Sequence, residues 1–332
     1  MKNRIAVALL ALTLPTAAFA DKVTIKLGTL APEGSEWHNA LTRMGQRWKT
    51  ASNGEVELKI YPGGVAGDEG DMVRKTRIGQ LHAATITNVG LGTINRATLA
   101  LQVPMMIQSW EELDYVRNKI GPDLEKELEG SGYYVLNWGD AGWVHFFGTA
   151  PITTPDDLRK LKLFVWTGDP ASENAWKVSK FNVVPLASTE VLPGLQTKMI
   201  DAFQTTPVFA LSSQWFNQAK NMCKVNWAPL NGATVVSKKQ WDKVDPKYRA
   251  ELMKIAREEG DILKQDIRKL SDKALASMVE KGLKVITPDA KVLAEWKKTA
   301  ELAYPDLRGK VVPEKFFDEV KRLSDEFHAG KK

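Results

Sequence analysis

The alternation of short β-rich runs with helical stretches between residues 23 and 87 narrows what this chain can fold into more than any other feature. Residues 23–27 alternate in polarity, and Gly28-Thr29-Leu30-Ala31-Pro32 breaks the pattern. Ser35 is placed to cap a helix that carries Trp37, Leu41, Met44 and Trp48 on one face. Asn53-Gly54 turns the chain into a second strand over 56–61, and Pro62-Gly63-Gly64 leads to a helix over roughly 68–78. A short strand over 83–87 completes a β-α-β-α-β run, the pattern of a parallel sheet with helices on its faces.

The alternation resumes further on. Residues 133–138 read as a strand, and Gly139-Asp140-Ala141-Gly142 reads as the turn where the chain leaves a first lobe. Thr154-Pro155-Asp156-Asp157-Leu158 opens a second α/β set. Its strands are expected over 161–166, 183–186 and 202–204, and a helix through Leu192, Leu195 and Met199 lies between the last two. Residues 234–237 read as a strand returning to the first sheet. From 247 to 281, Leu252, Ile255, Leu263, Ile267, Leu270, Ala274 and Met278 recur at helical spacing, which predicts a long helix across both lobes. The expected fold is α/β, with two lobes around an interlobe cleft. Lobe I takes residues 21–142 plus 232–272, and lobe II takes 143–231 plus 273–332. In such sheets ligands bind beyond the carboxyl ends of the strands.

The N-terminus bears on where the protein works. Lys2 and Arg4 precede an apolar run over 5–14 and the small-x-small sequence Ala18-Phe19-Ala20. This reads as a secretory signal cleaved after Ala20, with the periplasm as destination. The run is too short to span a bilayer comfortably. Cys223 is the only cysteine, so no intramolecular disulfide can form, and it reads as a small buried hydrophobe. The net charge of +6 is spread as interspersed lysines and acids, a solvated surface and not a nucleic-acid footprint. His38, His82, His145 and His328 fall in no metal-ligand spacing, and no Gly-x-Ser-x-Gly elbow is present. The glycines at 63, 64 and 67 lack the Lys-Ser/Thr of a phosphate loop. The sequence therefore predicts neither an enzyme nor a metal or organic cofactor.

Two segments carry a family resemblance. One is Gly28-Thr29-Leu30-Ala31-Pro32 with Trp37-His38, Tyr61-Pro62-Gly63-Gly64 and Gly67-Asp68-Glu69. The other runs over 151–165, through Ser188-Thr189-Glu190-Val191 and Leu195-Gln196-Thr197, to Ile200-Asp201-Ala202. Their order and spacing resemble the periplasmic substrate-binding subunits of tripartite ATP-independent periplasmic (TRAP) transporters. The resemblance implies a two-lobe fold closing around a small-molecule ligand, usually a carboxylic acid, and delivery to integral membrane permease subunits.

The chain departs from that family's pattern where the ligand carboxylate is held. The arginine expected after Leu161-Lys162-Leu163 is Phe164, and a second, expected between Trp143 and His145, is Val144. An unpaired buried carboxylate would cost several kcal/mol. Aromatic residues stand in these segments instead. Trp138, Trp143, Phe164, Trp166 and Trp215 are the expected apolar walls, with Phe203 and Phe216 beside them. Asp68, Asn88, Asp140, Asp169 and Thr206 are the expected polar contacts, with Gln204 a further candidate. Trp37, Trp48, Trp110, Trp176 and Trp296 sit at helical positions and read as packing residues. The ligand is accordingly expected to be apolar or amphipathic. An accessory protein of TPR repeats is a further partner suggested by family members that take hydrophobic ligands. The alternatives are an organic-acid binder using other polar residues and a sensor that feeds a receptor.

Overall fold

The computed structural model describes residues 22–330, so the proposed export signal and its cleavage point lie outside the described residues. The first half of the chain forms β1 (Val23–Thr29), α1 (Glu36–Ala51), β2 (Val56–Tyr61), α2 (Glu69–Arg77), β3 (Ala83–Thr87) and α3 (Asn88–Ile94). A 3-10 turn (Arg96–Gln102), α4 (Trp110–Gly130) and β4 (Tyr133–Gly148) follow. Next come α5 (Pro155–Arg159), β5 (Leu163–Trp166), α6 (Pro170–Val178), β6 (Val183–Leu186), α7 (Val191–Gln196) and β7 (Ala202–Thr205). The remainder is α8 (Pro207–Ser212), β8 (Asn221–Ser237), α9 (Lys238–Trp241), α10 (Pro246–Glu280), β9 (Lys284–Ile286), α11 (Ala290–Glu301), α12 (Tyr304–Leu307) and α13 (Glu314–Ala329).

The strands join in the order β2-β1-β3-β8-β4-β7-β5-β6, with β9 beside β8. The two α/β sets expected from the sequence are parallel groups, β2-β1-β3 and β6-β5-β7. Between them runs the antiparallel pair β4/β8, which belongs to both. β4 is a 16-residue strand that does not end at Gly139-Asp140-Ala141-Gly142, as the sequence suggested. The segment stays in the ladder by shifting register between Asp140 and Gly142, opposite Asn231 and Leu230. Gly142 sits at φ 117°, a conformation that strains any residue with a Cβ. One extra residue is thereby absorbed and the strand bends instead of turning back. β8 is likewise longer than its expected 234–237 segment.

The helices form where their caps and apolar stripes require. Ser35 accepts from the His38 N–H at the start of α1, and Trp37, Leu41, Met44 and Trp48 are buried on its inner face. Thr154 and Asp157 form a capping box on α5. α10 has 35 residues, about 50 Å at the helical rise. It packs on α1 and β4 and further along on α8, so it touches both strand groups. Its buried stripe runs from Leu252 through Ile255, Leu263 and Ile267 to Met278. Trp48 of α1 lies against Trp241 and donates to the Leu252 carbonyl, which fixes the start of α10. No described helix is long and apolar enough to cross a membrane.

Candidate ligand cleft

Two cavities adjoin at the carboxyl ends of the strands. The larger, about 720 Å³, lies between α2, α3 and the 3-10 turn on one side and the ends of β5 and β7 with α6 on the other. The smaller, about 90 Å³, lies under α1 and α10, against Trp37, Leu41, Met44 and Leu263. Glu69, Trp166 and Leu230 line both.

Three indoles form the apolar wall of the larger cavity: Trp166, Trp176 and Trp227. Trp166 ends β5, where the parallel strand runs out and its ring emerges from the sheet. It rests on Phe164, with ring centroids 4.8 Å apart, and its buried Nε1 has no hydrogen-bond partner. A buried indole N–H left unpaired costs roughly 1–3 kcal/mol, so a ligand acceptor at this point would be favoured. Trp176 and Trp227 stack 5.5 Å apart, backed by Phe146 and Trp296.

Arg96 is the one cation among the described residues that line this cavity. Its Nε donates to the Val311 carbonyl (2.8 Å), and its terminal nitrogens grip the Asp169 carboxylate at 3.1–3.3 Å. Burial alone would raise the Asp169 pKa. The Ser172 hydroxyl and the Arg96 charge outweigh it and hold the carboxyl below its ordinary range. Asp169 also caps α6. Asp68 caps α2 and accepts from both the hydroxyl and the N–H of Ser188.

Glu69 is fully buried between the cavities. It accepts from the Thr87 N–H and hydroxyl and from the Gly90 N–H, at 2.7–2.8 Å. Desolvation is the dominant influence and, helped by the nearby Asp68 charge, it pushes this carboxyl up to about 7.

Of the residues singled out from the sequence, the structure brings Trp166, Asp68, Asp169 and Gln204 together around the larger cavity. Asp140 borders the smaller one, but its carboxylate is consumed by Arg117 and Arg268. The others line neither cavity. Trp138 points to α4, where its Nε1 donates to Glu125 (2.9 Å). Trp143 packs on Trp110 in the core around α4 and α13. Phe164, Trp215, Phe203 and Phe216 form one core cluster with Val191, Leu195 and Ile200. Thr206 caps α8, and Asn88 is buried with both amide atoms unpartnered. Trp176, read as a packing residue, takes a place in the wall. Trp227, Glu69 and Arg96 were not singled out. Arg96 follows α3 in a 3-10 turn, far in sequence from the strand positions where a cation was sought.

Residues 27–309 match the family "Bacterial extracellular solute-binding protein, family 7" (DctP). The chain belongs to this family. This family 7 protein is 26% identical over 266 residues to the 2,3-diketo-L-gulonate-binding periplasmic protein YiaO of Escherichia coli, covering 80% of this chain and 81% of that one. It is 24% identical to the C4-dicarboxylate-binding periplasmic protein DctP of Rhodobacter capsulatus, covering 82% of each chain. Its fold matches a TRAP periplasmic solute-binding protein of Xanthobacter autotrophicus with bound β-D-galacturonate (TM-score 0.83, 21% identity, 91% of this chain and 99% of that one). It also matches the sugar acid binding protein DctPAm of Advenella mimigardefordensis in complex with galactonate (TM-score 0.86, 16% identity, 92% and 99%). The family 7 protein is thus an extracellular solute-binding protein, and it has the two-lobe α/β fold of those solved structures.

Proposed function

We propose that this family 7 protein is exported to the periplasm, with cleavage after Ala20, and captures a small amphipathic solute in the larger cavity. The observation that carries this reading is the indole wall of Trp166, Trp176 and Trp227 facing a cavity of about 720 Å³. Such a surface takes an apolar body, and the few polar groups around it orient the ligand. The lobes are residues 21–142 plus 232–272 and 143–231 plus 273–332, hinged at the Asp140–Gly142 register shift. α13 reaches from the second back to α4 and the 3-10 turn of the first. Closure around the ligand would create the surface that docks on the TRAP permease subunits. A TPR-repeat accessory protein is a further proposed partner.

A second reading, an organic acid, is favoured by Arg96, whose guanidinium supplies at a new position the cation missing at Phe164 and Val144. One experiment separates them. The solute released from the purified protein by denaturation is rebound to wild type, Trp166→Ala and Arg96→Ala, followed by tryptophan fluorescence. The amphipathic reading expects the larger loss of affinity, about tenfold or more, in Trp166→Ala. A loss confined to Arg96→Ala selects the acid reading, and unchanged binding in both variants contradicts the site.

A further inference from the structure

We infer that the ligand of this cleft carries a cationic, ammonium-type group, seated between the carboxylates of the larger cavity and its indole faces. The inference rests on the proposed site and adds the charge of its ligand.

The charge of the lining is lopsided. Five carboxylates border the larger cavity, Asp68, Glu69, Asp71, Asp169 and Glu173, against the single guanidinium of Arg96. Asp169 is paired with Arg96, and Asp71 with Arg74. Among the described residues no ion pair is made by Asp68, Glu69 or Glu173. A free anion entering this cleft meets a net negative field, and the only cation it could use already holds Asp169.

An independent observation points the same way. Gln204 lines the same cavity, is 6% exposed, and its side-chain oxygen has no hydrogen-bond partner. It lacks a donor, and an ammonium group brings donors and no acceptor. The indoles of Trp166, Trp176 and Trp227 that line the cavity supply the second requirement. Indole is the aromatic ring that attracts a cation most strongly, and the attraction grows when the site is desolvated. Glu69 completes the arrangement. Its three hydrogen bonds all come from Thr87 and Gly90, and the raised pKa of this carboxyl reflects burial with no cation at hand. A ligand cation beside it would draw off its proton and leave a charge-matched pair. A ligand that also carries an acid would place that acid at the unpaired Trp166 Nε1.

The test compares two probes with the same aromatic body and opposite charge, benzylammonium, which carries three N–H donors, and phenylacetate. Binding to the full mature chain is measured by tryptophan fluorescence at low salt and about pH 8, where Glu69 is ionised. The expected result is that the ammonium probe binds about tenfold or more tightly than phenylacetate. That preference should shrink in Glu69→Gln and in Glu173→Gln, the latter a half-exposed side chain whose replacement leaves the core intact. Phenylacetate binding as tightly as the ammonium probe, or no binding of the ammonium probe up to about 10 mM, would overturn the inference. Phenylacetate binding alone would leave the cleft as the ligand site and remove only the cation. Loss of the co-purified solute's binding in none of the cleft variants would remove the site itself.

Discussion

The Asp68 carboxylate accepts hydrogen bonds from the Ser188 hydroxyl (2.6 Å) and the Ser188 N–H (3.0 Å), tying the start of α2 to the turn after β6 at the edge of the cleft. The two residues stand on opposite sides of the β4/β8 pair. On the proposed lobe closure, this contact would stabilise the arrangement in which the sides meet and be lost when they separate. Ser188→Ala removes the hydroxyl donor and keeps the N–H. A hydrogen bond to a charged group contributes about 1.5–3 kcal/mol, so the closed-to-open ratio should fall about tenfold or more. The check is a spin-label distance between Ile78→Cys and Met199→Cys, both exposed positions. The distribution should broaden toward longer distances in Ser188→Ala. An unchanged distribution would show that this contact does not hold the cleft shut.

Two buried groups give stability opposite pH slopes. Glu69 keeps its proton in the folded chain up to about 7, against a usual 4.5, because burial disfavours its charge. Its contribution is complete below pH 4.5 and is lost as pH rises through about 7. His145 is buried, donates from Nδ1 to the Val225 carbonyl, and is held neutral down to about 4 by desolvation. Its contribution is present above 6.5 and is lost as pH falls toward about 4. Each amounts to something on the order of 3 kcal/mol at full extent. Between these limits they oppose each other. Glu69→Gln removes one slope, so its urea midpoint should fall more steeply than wild type between about pH 7 and about pH 5. Parallel midpoints in the two proteins would contradict the assignment.

Asp140 lies at the centre of a buried charge cluster. Arg117 and Arg268 both donate to it, and Asp114 bridges the same two arginines. Arg268 also lies over the Trp110 ring at 4.5 Å. The cluster joins α4, β4 and α10 where β4 shifts register. Asp140→Ala would leave two guanidinium groups short of a partner in a site almost closed to water, at a cost of about 3–5 kcal/mol. Urea denaturation should show that loss. A cost under about 1 kcal/mol would mean the cluster relaxes into water.

Phe164 illustrates what was legible in the sequence and what was not. The β-α-β-α-β run, the long helix and the place of Trp166 at a strand end followed from periodicity and caps, which are local. Phe164 and Trp166 share a face of β5 by the two-residue period, and the sequence could not say where along that face the core ends. The answer depends on the core around Val191, Leu195 and Ile200, which buries Phe164 completely and has Trp166 only partly buried against it. Trp176 looked like a packing residue for the same reason, since helical spacing does not distinguish a core from a cavity wall. Arg96 became legible only when the chain brought it to Asp169, a pairing across 73 residues. Replacing Phe164 by arginine should consequently destabilise the protein by several kcal/mol, through an unpaired buried charge, before it affects any ligand. Thermal unfolding of Phe164→Arg checks this, and a stable, soluble variant would contradict the core placement.

Native mass spectrometry of the mature chain, purified without refolding, identifies the captured solute itself. One bound molecule per chain is expected, with an apolar or aromatic body, and its loss from Trp166→Ala. A compact, wholly polar acid bound equally well by wild type and Trp166→Ala would contradict this expectation.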